Sequence, residues 1–234
     1  MLFRLSGSAA PATDGAGFLF DNVLLSSASA EPCAFSISGS TITLLNDCTT
    51  DQTILVPDGK TLDGAGNSIT AVDPTGGHFL GAVVKNEGAS ASVENLEITA
   101  SRLANICDAG DSRLRGILLD GASGSITNNR VIGLRQVGSG CQEGNAIEVR
   151  NAPFDTTGAD VTANISANTV SAYQKTGIVV NGSVQATVTN NVVVGLGPVD
   201  YIAQNGIQVG FGGSAFIRGN TVTGNSYSPA SDTG

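Results

Sequence analysis

The side chains whose types could do chemistry fall into one short series. Lys85, Asp120, Arg150 and Asn181 occupy matching places in successive copies of a repeated phrase, and Glu148 and Gln208 stand just before members of the same series. Charges of alternating sign at one-strand spacing, about 4.8 Å, make either a surface ion-pair ladder, worth at most about 1 kcal/mol per pair, or a substrate groove. Asp120 and Glu148 are the one carboxylate pair on this face that could share general acid and base work, which needs carboxyl groups about 5 to 10 Å apart. Asp108, Asp111 and Glu143 lie in neighbouring connections, and a hard cation such as calcium would require several of these carboxylates to converge. His78, the one histidine, follows Gly76-Gly77 and reads as a surface turn residue. The chain has no Gly-x-Ser-x-Gly phrase and no Ser-His-Asp arrangement.

The elements that must position these groups belong to a repeat. GIVVNGSVQATVTNNVVVG, from Gly177 to Gly195, recurs as Gly116 to Gly133, as Ala146 to Ala172 with an insertion, and as Gly206 to Gly224. Ile117, Ile147, Ile178 and Ile207 mark its first strand at a period of about 30 residues, which predicts stacked units that cannot bury their apolar faces singly. Gly81 to Thr99 is an earlier copy. If Ile117 and Leu119 point inward, alternation along the strand turns two columns outward. One is Val83, Leu118, Glu148, Val179 and Gln208; the other is Lys85, Asp120, Arg150, Asn181 and Gly210. In the second strand Asn129, Asn168, Asn191 and Asn220 recur between apolar positions. They are expected to form an asparagine ladder inside a turn, where stacked amides bond each other and the backbone; an exposed ligand-binding row of amides is the alternative. In the Gly81 copy Leu96 takes the ladder position and Asn95 comes one residue early.

Residues 100–115, 134–145 and 196–205 are longer than turns require and all lead into first strands, so they would border one sheet; residues 150–161 leave its far end. Long loops on a rigid scaffold are the usual place for binding and chemistry. Tyr173, Tyr201, Phe154 and Phe211 lie on or near these connections as candidate sugar platforms, Tyr201 above all.

Composition agrees with many short strands: 31 Gly, 13% charged residues and no Trp, with Asn, Thr, Ser and Val abundant and no helical apolar period. The net charge of −9 argues against a nucleic-acid partner, and no apolar run is long enough for a membrane span. Cys33 with Cys48 and Cys107 with Cys141 form two sequence-local pairs, read as disulfides of an exported protein, with four buried thiols as the alternative. Met1 is not followed by a signal peptide and the last copy runs to Gly234, which is read as a monomeric fragment of a longer, multidomain secreted chain truncated at its C-terminus.

Three segments are expected. Residues 1–26 form a β-hairpin, and Phe20-Asp21-Asn22-Val23 resembles the closing strand of jelly-roll carbohydrate-binding modules. Residues 27–52 are a linker and a cap closed by Cys33 and Cys48, and residues 53–234 are the repeat. Within Thr53 to Ala71, the phrase Val-Pro-Asp-Gly-Lys-Thr-Leu-Asp-Gly-Ala-Gly-Asn-Ser-Ile resembles the entry coil of right-handed parallel β-helix proteins of the pectin-lyase-like superfamily, and the resemblance extends from Cys33 to Tyr227. It implies an all-β, right-handed parallel β-helix (a solenoid) of about six coils. In polysaccharide lyases of that superfamily an outer sheet face carries acidic calcium ligands and an arginine base. By that likeness Arg150, Asp120 and Glu148 would be catalytic, Lys85, Asn181, Gln208 and Tyr201 would bind substrate, and Asp108, Asp111 and Glu143 would hold calcium. The Asn-Thr-Asp, Asp-Asp and Gly-His-Gly motifs of polygalacturonase-like enzymes are missing. Asp73-Pro74-Thr75-Gly76 lacks the His-Glu of the epimerase phrase. The expected function is therefore a secreted module that binds or displays polysaccharide. A lyase acting on acidic glycan by β-elimination and a structural or adhesive stalk are the alternatives.

Overall fold

Val, Ile and Thr fill the short segments between turns, and these β-branched residues favour a pleated surface buried on one face. The computed structural model describes residues 31–100, 102–136, 138–154 and 161–228, and the expected hairpin of residues 1–26 lies outside them. The described unit, which begins at Pro32, is all-β, with a single turn of 3₁₀ helix at Gly110–Ser112. Among the described residues no helix is long and apolar enough to cross a membrane.

The strands build three sheets. The first contains six, Ile54–Val56, Ala82–Asn86, Arg115–Asp120, Asn145–Asn151, Thr176–Gly182 and Asn205–Gly210, stacked in sequence order. The second contains Lys60–Asp63, Ala91–Glu94, Gly124–Thr127, Val161–Ser166, Val184–Thr189 and Ser214–Arg218, preceded by Phe35–Ser38 and Thr41–Leu44. The third runs from Cys48–Thr50 through Ser68–Ala71, Glu97–Thr99, Arg130–Ile132, Thr169–Ser171 and Val192–Val194 to Thr221–Thr223. From Ile54 onward the chain visits the three sheets in rotation, and each circuit is a rung. All pairings are parallel except that of Phe35–Ser38 with Thr41–Leu44, a hairpin at the start of the stack. This is consistent with a solenoid.

Register turns the repeat into columns. Val84, Ile117, Ile147, Ile178 and Ile207 pair in succession on the first sheet. Val93, Ile126, Ile165, Val188 and Ile217 do so on the second, and Ile98, Val131, Val170, Val193 and Val222 on the third. Most of these side chains are fully buried and form one continuous core. In the last rung Ile217 and Val222 remain 48% and 44% exposed. Gly177, second in its strand, has to be glycine because a Cβ there would run into Val193 Cγ1 and the Gly206 carbonyl.

The asparagine column lies in the turn between the second and third sheets. The Oδ1 of Asn168 accepts from the backbone N–H and the Nδ2 of Asn129, at 2.9 and 3.1 Å, while its own Nδ2 donates to Ile126 O at 2.8 Å and Asn191 Oδ1 at 2.9 Å. Asn191 and Asn220 repeat the pattern. The left-handed backbone at each turn falls on the preceding residue, Asn128, Ala167, Asn190 or Gly219, and not on the ladder asparagine. Both disulfides are formed; Cys33–Cys48 closes the initial hairpin and Cys107–Cys141 joins two long connections.

Asn168→Ala removes the side-chain acceptor of the buried Asn129 backbone N–H and a side-chain donor to the Ile126 carbonyl. It should cost about 1–3 kcal/mol, read as a lower urea midpoint, and Asn220→Ala, at a more exposed position, should cost less. Equal midpoints for both variants and the parent would contradict a structural role for the column. Replacing Cys107 and Cys141 together by Ser opens a 34-residue span and should cost roughly 3–4 kcal/mol by the same measurement.

Candidate functional site

The outer face of the first sheet differs from the expected groove in two respects. The first is register. Leu118 pairs with Lys85 and Ile117 with Val84, so Lys85 belongs to the column of Leu118, Glu148, Val179 and Gln208. The shift arises because Gly81, the apparent counterpart of Gly116, precedes the strand as a turn residue with φ of 82°. The second is exposure. Leu118 and Val179 are each only 1% exposed and Glu148 4%, although they face away from the core. The connection before Arg115 reaches over this face, since the Arg115 guanidinium donates to Gly110 O and Arg113 O and the Arg150 guanidinium to Asp111.

The expected catalytic trio is divided between two ion pairs. Arg150 and Asp120 are strand neighbours and form a fork, with Nε to Oδ1 at 3.1 Å and Nη2 to Oδ2 at 2.9 Å. The same Nη2 binds Asp111, and Lys85 Nζ reaches Asp120 Oδ2 diagonally at 3.3 Å. Glu148 turns to Arg115, which donates through Nε to Oε2 at 2.7 Å, and Asn145 Nδ2 donates to the same oxygen at 2.8 Å. Arg115 and Asn145 were not anticipated, because it is the burial of Glu148 beneath a loop that makes a cation necessary.

The electrostatics favour the ionised forms of Arg150, Asp120 and Asp111. Burial alone would lower the Arg150 pKa, but its hydrogen bonds to Asp120 and Asp111 outweigh this and raise the value above that of a free arginine. Burial alone would raise the Asp120 carboxyl, and Arg150 with Lys85 more than reverses this to hold it below the usual carboxylate range. Asp111 is lowered first by its Arg150 hydrogen bond. A guanidinium held in this way is poorly suited to remove a proton.

The three expected calcium ligands do not converge. Both Glu143 oxygens accept backbone N–H groups, Asp108 at 3.0 Å and Leu114 at 2.7 Å. The Asp108 carboxylate meets His78 Nε2 at 3.0 Å, so the histidine read as a solitary turn residue has a partner. Asp111 is engaged by Arg150. Among the described residues the one cluster with metal-ligand spacing is Cys107, Cys141 and Glu143, and its sulfurs are joined to each other. The carboxylates present do not fit a calcium site.

What remains open lies at the end of the first sheet. Arg150, Asn181 and Gly210 line up there on adjacent strands. Asn181 Oδ1 is buried and has no hydrogen-bond partner among the described residues. Phe154 packs against Gly182 and meets Phe211 edge to face, with centroids 6.3 Å apart, and both rings are about half exposed. Gln208 accepts from Asn205 Nδ2 at 3.1 Å. Tyr201 is exposed on its loop. Tyr173 is no platform: it is fully buried, burial pushes its hydroxyl up to about 12, and the hydroxyl donates to Asn225.

Asp111 and Asp120, held below the ordinary carboxylate value of about 3.9, contribute stability that is present above that value and lost as the pH falls through their folded values. Arg150→Met should therefore be less stable than the parent at neutral pH by roughly 1.5–3 kcal/mol. The gap should narrow as the pH falls below about 4; urea unfolding across the range reads both effects, and a gap unchanged at acid pH would contradict the pairing.

Comparison of the chain with protein-family models, with curated proteins and with solved structures returned no match.

Proposed function

We propose that this chain is a secreted, right-handed parallel β-helix module, of the pectin-lyase-like kind, that binds or displays polysaccharide without cleaving it. The observation that carries the reading is the pair of exposed rings, Phe154 and Phe211, at the sheet end where Arg150, Asn181 and Gly210 line up. Aromatic faces give a pyranose ring an apolar surface to stack on. The lyase alternative asks Arg150 to act as a base, and its two carboxylate partners oppose that. The two disulfides fit an oxidising compartment.

The test incubates the protein with pectic, alginate and glycosaminoglycan polysaccharides, with and without calcium, and follows both affinity-gel retardation and the ultraviolet absorbance of unsaturated uronate. Retardation with flat absorbance is expected, and Phe154→Ala or Phe211→Ala should weaken binding about 2- to 10-fold. A calcium-dependent rise in absorbance that disappears in Arg150→Ala would replace this reading with the lyase. Absence of retardation by every polysaccharide would leave the adhesive stalk.

A further inference from the structure

The second sheet carries an outer face that the first-sheet site does not use. Over its last three strands, alternation turns Thr162 and Asn164, Gln185 and Thr187, and Ser214 and Phe216 outward. Register places Thr162, Gln185 and Ser214 in one column, and Asn164, Thr187 and Phe216 in the next. These six side chains line an open groove of about 640 Å³, floored by small residues such as Ala163 and Ala186. The columns step at about 4.8 Å from strand to strand and stand roughly 6.6 Å apart along each strand, a grid on the scale of linked pyranose rings.

The earlier rungs of this sheet spend their polar groups internally. Ser125 Oγ donates to Ser92 Oγ at 3.0 Å, and Asn128 Nδ2 to Asn95 Oδ1 at 2.7 Å. In the last three rungs the side chains of Asn164, Gln185, Thr187 and Ser214 make no hydrogen bond among the described residues, although their neighbours stand one strand away. Phe216 is 60% exposed at the end of the same grid. Among the described residues no charged side chain lines the groove, in a chain of net charge −9. Amides and hydroxyls both donate and accept, which matches sugar hydroxyls, whereas a carboxylated, sulfated or phosphorylated chain would meet no cation there.

We infer that this face is a second binding surface, specific for a neutral polysaccharide, with Asn164 and Gln185 bonding sugar hydroxyls and Phe216 stacking against a ring. The inference rests on the reading of the chain as a glycan-binding module, but not on the first-sheet site. The probes are hexasaccharides of neutral β-glucan, xylan and mannan, with oligogalacturonate as the acidic arm, titrated into the full chain by calorimetry and by NMR of the side-chain amides.

A neutral hexasaccharide should shift the Asn164 and Gln185 amide resonances, and Gln185→Ala combined with Phe216→Ala should weaken its binding roughly tenfold or more. Both substituted positions are exposed, so the melting temperature should stay near that of the parent, and the parent's amide shifts provide a readout that needs no variant. Phe154→Ala with Phe211→Ala should leave this binding intact. Binding of neutral sugars that is lost only in the Phe154 and Phe211 variant would overturn the inference and keep the first-sheet reading. Loss only in the Gln185 and Phe216 variant, with no effect of the first-sheet pair on any glycan, would do the reverse. Failure of all neutral hexasaccharides to bind, or preference for oligogalacturonate at the Asn164 and Gln185 amides, would also overturn it.

Discussion

A side-chain amide sealed inside a turn has to find partners for its oxygen and both its N–H bonds, and in this chain the partner is the same amide one rung away. Asn129, Asn168, Asn191 and Asn220 each reach back to a carbonyl of the preceding rung, and the first three also reach forward to the next asparagine. That arrangement works only if every rung repeats the turn at the same height, so the ladder holds the second and third sheets in common register. In-register sheets then let like apolar residues stack, and the core becomes columns of Val, Ile and Leu. Leu96 interrupts the amide series, and there Asn129 Oδ1 accepts the Leu96 backbone N–H at 3.1 Å. Asn168 and Asn191 Oδ1 accept the corresponding backbone N–H in the same way, so a hydrocarbon at that position keeps the main-chain half of the pattern and forgoes the side-chain half.

The first sheet answers to a different constraint. Long connections lead into it, and their backbones need partners as they cross its outer face. Arg115 and Glu143 supply them, the first with donors for carbonyls of the connection and the second with acceptors for the amides of Asp108 and Leu114. Charged residues that look available for catalysis are therefore largely spent on holding loops in place. A buried charge without a partner is costly, and here Glu148 is matched by Arg115 and Arg150 by two aspartates, while Glu143 is satisfied by two backbone N–H groups.

Much of this was legible in the sequence. The repeat exposed the inward columns, the asparagine ladder and both cysteine pairs, because each depends on spacing within a rung or between neighbouring rungs. The position of Lys85 was not legible, since Gly81 and Gly116 look equivalent as letters and differ only in backbone conformation. Burial of Leu118, Glu148 and Val179 was hidden as well, because alternation tells which way a side chain points and not whether a loop lies over it. A second amide series escaped notice. Gln136, Gln174 and Gln204 cross-link the connections at another corner, with Gln174 Oε1 accepting the Gln136 N–H at 2.8 Å, but loops of unequal length scatter these residues in sequence. The open end of the first sheet was only half visible: the aromatic residues could be named, while their edge-to-face contact could not.

The stacking of rungs carries a thermal consequence. Each rung gains its stability from the rungs on either side, so the energy of the stack is close to a sum of nearest-neighbour terms. Opening is then set rung by rung, and amide protons of the rungs crossed by the Cys107–Cys141 link should exchange later than those of rungs held by stacking alone. A change made in one rung is felt first by its two neighbours and only then by the rest of the core.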